Sequence, residues 1–174
     1  MARIREKLQN LPVAAGVAWM CVLLAASLFA GNFRALQGAT PKAFIRQGDV
    51  KSIIEDRIGA AQNVLTVAAR AGLGSDDMDA VEEAIRALEQ AKTAQAISRA
   101  DQALSASVAM LTTAELAGEE AGNMLRAADD FAEQGSFLRQ EARAFNEKAE
   151  KAEALYEKLP TRFLYAQPDV YEGI

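Results

Sequence analysis

Histidine is absent from this 174-residue sequence. Its absence removes the commonest general base, the commonest zinc ligand and every Ser-His or Cys-His nucleophile system. It also removes the Glu-x-x-His pairs on which carboxylate-bridged di-iron bundles depend. The single cysteine, Cys21, lies inside an apolar run, so no disulfide can form in the rest of the chain and cysteine usage says nothing about redox compartment. Aromatic residues make up only 6% of the chain, and there are four prolines. So few prolines leave room for very long helices, because a proline inside a helix removes a donor and clashes with the preceding turn.

What is present is helix-forming. The apolar fraction is 51%, much of it alanine, and from Asp49 onward Ala, Glu, Leu, Gln, Lys and Arg dominate. That composition suits a helix bundle rather than a sheet. The net charge is −5; the N-terminal tip (Arg3, Arg5 and Lys7 against Glu6) is positive by two, so the remainder carries −7. No basic stripe offsets this balance, which excludes nucleic acid as a partner. Asp129-Asp130 lacks the converging loop oxygens of a hard-cation site. Gly72-Leu73-Gly74-Ser75 lacks a phosphate-loop lysine, and Asp76-Asp77 would repel an anion there. No metal or cofactor is expected.

Residues 1–10 form a basic tail. From Lys7 to Arg34 there is no charged side chain, and Leu11–Ala30, about 20 residues that include Trp19, Cys21, Leu24 and Phe29, is long enough to cross a ~30 Å hydrocarbon core. Pro12 stands where its missing N–H costs nothing. A cleaved signal peptide would have an apolar region of about 7–15 residues and a small-x-small site; here Leu28 occupies a key position before Ala30. A lipoprotein signal is excluded because Trp19-Met20 precede Cys21. We therefore read residues 11–33 as one uncleaved transmembrane helix of a single-pass membrane protein. Arg34, Lys42 and Arg46 nearly balance the tail's charges; the free amino terminus tips the orientation toward an extracytoplasmic soluble part.

Gly38 and Thr40-Pro41 mark residues 34–48 as a connector. In the bundle domain, residues 49–174, Val50, Ile54, Ile58, Ala61, Leu65 and Ala68 form an amphipathic stripe, with Lys51, Glu55, Asp56 and Arg57 on other faces. Gly72 and Gly74 end this helix, and Ser75, followed by acids, caps the next. With no Gly or Pro from Ser75 to Leu116, we expect one helix of about 40 residues; a break near Thr93 is the alternative. After a turn at Leu116–Gly122, Met124, Ala128, Phe131, Gly135, Leu138, Ala142, Phe145, Ala149, Ala152, Tyr156 and Leu159 alternate in steps of four and three. That is a heptad seam, with Gly135 permitting close approach and Pro160 ending the helix. Glu147–Lys151 is spaced for an i,i+4 pair. The expected fold is all-α: an antiparallel bundle of three long helices and a short C-terminal piece, behind one membrane helix.

The order of parts resembles the LemA family, as a divergent member. The resemblance rests on Arg57–Ala68 (RIGAAQNVLTVA), on Ala103-Leu104-Ser105, and on Ala142-Arg143-Ala144-Phe145-Asn146 followed by Leu159-Pro160. Ala61-Gln62-Asn63 stands where the family has Ile-Pro-Asn, and Phe145 where it has Tyr. The resemblance implies a helix bundle and a membrane anchor and brings no established activity; the family's predicted topology has sometimes placed the short N-terminus outside. Arg57, Asn63, Leu104, Arg143, Phe145, Asn146 and Pro160 are the residues it singles out. Asn63 and Asn146, beside their stripes, are expected to bond between helices and fix register.

The functional expectation is a non-catalytic interaction or scaffold protein of the cell envelope with unidentified protein partners. The alternatives are a structural homo-oligomer packed through the seam of residues 124–159, and an enzyme using carboxylates alone, such as Asp129 or Glu133.

Overall fold

The computed structural model describes residues 13–114, 116–167 and 169–173. The basic tail, Leu11 and Pro12 lie outside the described residues. Among those described, every regular element is helical: α1 (Val13–Ala39), a 3-10 turn (Phe44–Arg46), α2 (Val50–Arg70), α3 (Ser75–Gln90), α4 (Ala94–Thr112), α5 (Gly118–Lys158) and a second 3-10 turn (Arg162–Leu164).

Helix α1 is long and apolar enough to cross a membrane over Ala15–Ala39, and none of its most apolar stretch is buried in the protein. Trp19, Leu23, Leu24 and Leu28 are each more than half exposed. The helix runs past the expected boundary at residue 33 into the connector, and stops at Ala39 because Pro41 disfavours helical geometry in the residue before it. Its last turns join the body of the protein, where Leu36 is buried.

The bundle is built on α2 and α5, which pack along one another. Phe44, just before α2, meets Phe145, and Arg57 further along meets Phe131; numbers rising on one side and falling on the other make the pair antiparallel. The seam of α5 faces inward as expected: Met124, Phe131, Gly135, Leu138, Ala142, Phe145, Ala149 and Ala152 are buried. Helix α2 ends in a Schellman motif. Leu73 N–H donates to the Ala68 carbonyl and Gly72 N–H to that of Ala69, with Gly72 at φ +71°.

Three expectations need correction. The helix predicted over Ser75–Leu116 is two helices, α3 and α4, folded on each other as a hairpin. The break falls at Ala91-Lys92-Thr93, where the Thr93 hydroxyl accepts the Ala96 N–H (3.1 Å) and so caps a new helix. Folding back lets Val81, Ile85 and Leu88 bury against the bundle together with Ile97, Leu104 and Val108. A straight 60 Å rod would leave half of them in water. Ser75 is the first helical residue rather than the cap, which is Gly74; its hydroxyl lies against Asp76. Glu147–Lys151 does not close, whereas Lys51–Glu55 does (3.4 Å). Exposed pairs gain little over the side-chain entropy they cost, so which of them form is not fixed by spacing.

Candidate functional site

The most unusual chemistry in the molecule is a charged group inside the core. Arg57 is 1% exposed. Its Nε donates to Asp101 Oδ1 of α4, its Nη1 to the Phe131 carbonyl of α5 (2.8 Å) and its Nη2 to the Ser105 hydroxyl of α4 (2.7 Å). The guanidinium also lies 4.0 Å from the centre of the Phe131 ring, a cation–π contact strengthened by the dry surroundings. Each edge of the fork is thereby used, the condition under which a buried ion pair is tolerated.

Gly135 makes this arrangement possible. A Cβ there would sit 2.9 Å from Arg57 Cζ, so the gap left on the seam admits a guanidinium instead of a closer backbone. An alanine in a helix interior ordinarily gains about 1 kcal/mol over glycine. Here Gly135→Ala is expected to destabilise by about 1–3 kcal/mol, because the displaced end of Arg57 is held by three partners and cannot swing away. Urea unfolding followed by circular dichroism gives the sign directly.

A second arrangement seals the first. After Pro160 the chain turns back, and its last residues lie against α4 and α5. Asn146 grips Tyr171 at both backbone groups: its Nδ2 donates to the Tyr171 carbonyl (2.7 Å) and its Oδ1 accepts the Tyr171 N–H (2.9 Å). The Tyr171 ring is 4% exposed, edge-on to Phe44 at 5.3 Å, and its hydroxyl donates to Asp101 Oδ2 (3.4 Å). Asp169 accepts the N–H of Ala94, the first residue of α4 (2.8 Å), where an acid is favoured by the helix dipole. The Glu172 carbonyl accepts from Ser98 and Gln102.

Burial, followed by the Asp101 carboxylate, raises the Tyr171 hydroxyl far above its ordinary value of 10.0. The folded state therefore holds this proton more tightly than the unfolded chain does. The stabilisation is complete below pH 10 and declines as pH rises beyond it, where only the unfolded chain ionises readily. Tyr171→Phe is expected to flatten that alkaline decline relative to the parent. Unfolding midpoints measured from pH 8 to 12 check it.

Of the residues singled out in the sequence, Pro160 follows the end of α5 and is exposed, and the others fall into two groups. Arg57, Leu104, Phe145 and Asn146 converge: Leu104 is buried beside Ser105, and the Phe145 ring lies tilted against Phe44 at 5.1 Å. Asn63 and Arg143 are exposed. Asn63 therefore does not fix register between helices, and Asn146 fixes the tail instead of a neighbouring helix. Arg57 was expected off the core face and lies within it. Asp129 and Glu133 are exposed on α5, and among the described residues no three His, Cys, Asp or Glu side chains gather as a metal would require. Asp101 and Tyr171 escaped the sequence reading, and Ser105 entered it only within the Ala103-Leu104-Ser105 segment.

No known family, curated protein or solved structure matches this chain. The surface depressions are shallow. One of about 290 Å³ between α2 and α3 is lined by Ile45, Ile54, Ile58 and Leu88, with Lys51, Glu55 and Glu89 at its margin. Another, of about 520 Å³, follows α5 past Arg139, Arg143 and Glu147 and has no opposing wall from a second helix.

Where the bundle meets α1, Asn32 Nδ2 donates to the Thr161 hydroxyl (3.0 Å). The Tyr165 ring stacks on Phe29 at 5.9 Å and Phe33 at 6.1 Å, and its hydroxyl donates to the Phe29 carbonyl (3.3 Å).

Proposed function

We propose that this chain is a single-pass membrane protein whose helical bundle acts by presenting its surface to other proteins of the cell envelope, with no reaction of its own. The observation that carries the membrane part is α1, whose apolar side chains have no cover in the protein over a length that matches a bilayer. Its contacts favour a retained anchor over a cleaved leader, since cutting after Ala30 would remove Phe29, one of the two rings on which Tyr165 stacks. The non-catalytic part is supported by how the buried polar groups are used. Arg57, Asp101 and Tyr171 are bonded to one another in the core, with the half-buried Ser105 taking the last edge of the guanidinium.

Membership of the LemA family is part of the proposal. In its favour, three segments that carry the resemblance meet in one region: Arg57 with Ser105, and Asn146 with the tail that closes over Asp101. A homo-oligomer built through residues 124–159 is less favoured, because that seam already faces α2 of the same chain; a second copy would need another face.

Crosslinking in intact cells followed by purification from solubilised membranes tests the interaction reading. A reproducible envelope protein, lost when exposed residues of α5 are changed, is the expected result; repeated recovery of the chain alone contradicts it. For orientation we place the bundle outside the cytoplasm. With Cys21→Ala as background, Gln140→Cys on exposed α5 should react with a membrane-impermeant maleimide added to intact cells.

A further inference from the structure

The junction between α1 and the end of α5 holds a second apolar element beside the span. The turn after Pro160 is Thr161-Arg162-Phe163-Leu164-Tyr165. Thr161 is tied to Asn32 and Tyr165 to Phe29 and Phe33. Between these two ties, Phe163 is 77% and Leu164 54% exposed. A single exposed apolar side chain on a protein surface needs no explanation; the place of this pair does.

Phe29 lies five residues before Arg34, the charge that ends the apolar run, which is about 7.5 Å along a helix axis at 1.5 Å per residue. Tyr165, in contact with Phe29 and Phe33 at once, is therefore fixed between the headgroup level and the top of the acyl chains, the depth at which amphipathic aromatic rings collect. Arg34, Lys158 and Arg162 are all exposed around the same junction. Cations flanking an apolar pair suit the phosphates of a lipid surface.

We propose that Phe163 and Leu164 insert into the interfacial layer of the bilayer that α1 crosses, so that the bundle is held against the membrane at a second point and not only tethered by its helix. The inference rests on the anchor reading. It commits to phospholipid as the occupant because the residues on both sides of the pair, Thr161 and Tyr165, are tied to the last turns of the apolar run and hold it at that depth. Insertion makes the bundle's membrane-facing end a fixed surface, leaving the far end, with the turn between α4 and α5, as the part directed away from the membrane.

Trp19 is the only tryptophan and lies deep in the span, which allows the two ideas to fail separately. The full chain is reconstituted in vesicles of phosphatidylcholine and phosphatidylglycerol, with phosphatidylcholine brominated either near the headgroup end or near the methyl end of its chains. In the parent chain Trp19 reports on the anchor. In a Trp19→Phe, Phe163→Trp chain the new indole reports on the turn; Phe163 is so exposed that the exchange leaves the core untouched, and an unchanged circular dichroism spectrum checks this. The expected result is a blue-shifted indole at position 163, quenched more strongly by the shallow bromines than by the deep ones. Quenched Trp19 with an unquenched, red-emitting indole at position 163 overturns the insertion and leaves the anchor standing. A blue-shifted indole at 163 that no brominated lipid quenches also overturns it, and points to a protein surface covering the turn. If Trp19 itself is unquenched, the anchor reading falls and the insertion falls with it.

Discussion

Replacing Arg57 with methionine is expected to cost the bundle about 3–5 kcal/mol, the range for removing one partner of a buried ion pair. Methionine fills much the same volume, so the loss comes from what remains. The Asp101 carboxylate, buried in α4, keeps the Tyr171 hydroxyl alone among the described residues, and the Phe131 carbonyl and Ser105 hydroxyl lose their donor. Arg57→Met combined with Asp101→Leu is expected to recover most of the loss, since an apolar replacement of a whole buried pair is often neutral or stabilising. Urea unfolding of the full chain in detergent, followed by circular dichroism, gives both numbers. A double variant as unstable as the single one would mean that the cost arises from packing around Gly135 and not from the orphaned charge.

Tyr171→Ala is expected to have a comparable effect, about 3–5 kcal/mol, the usual cost of emptying a buried aromatic site. The residue stands in an irregular segment beyond the last regular element, where substitutions are ordinarily tolerated. Here the ring completes an aromatic cluster with Phe44 and Phe145 and covers Asp101. The loss should extend beyond the ring: without it, Asn146 has no fixed backbone to grip, Asp169 leaves the start of α4, and amide exchange at Ala94 should accelerate along with that at Tyr171. Asn146→Ala tests the clamp alone and should cost less, about 1–3 kcal/mol, because two backbone groups lose partners while the ring keeps its cavity. A Tyr171→Ala chain as stable as the parent would show that the tail is not part of the folded core.

The all-helical architecture was legible because it depends on patterns a sequence states openly: a charge-free run, a 4-3 alternation and breakers at Gly72 and Pro160. The hairpin between α3 and α4 was harder to read. Its turn contains neither Gly nor Pro, and Thr93 ends one helix and begins another through a single hydroxyl contact. Both continuing and folding back satisfy the local pattern; burial of Leu88 and Ile97 decides between them. The buried ion pair left a signal that hydrophobicity alone hides. Val50, Ile54, Arg57, Ala61, Val64 and Ala68 keep an unbroken 4-3 phase, and Ile97, Asp101, Leu104, Val108 and Leu111 do the same in α4. Opposite charges on the seams of two helices, with a glycine on the seam of a third, describe the site once phase takes precedence over polarity. The tail left no such signal, because its contacts run through backbone groups, one aromatic ring and the Asp169 carboxylate, to partners far away in sequence. The chemistry of any partner was not legible either: the charges of α5 that face solvent carry no spacing that selects one.

The central claim is that the chain is held in the membrane by its own α1 and keeps that helix. Alkaline carbonate extraction of cell membranes, with intact-mass measurement of the extracted and retained chains, tests it most directly. The account predicts that the chain stays in the membrane pellet with a mass that includes residues 1–30. A chain released to the supernatant, beginning near Gly31, would contradict it.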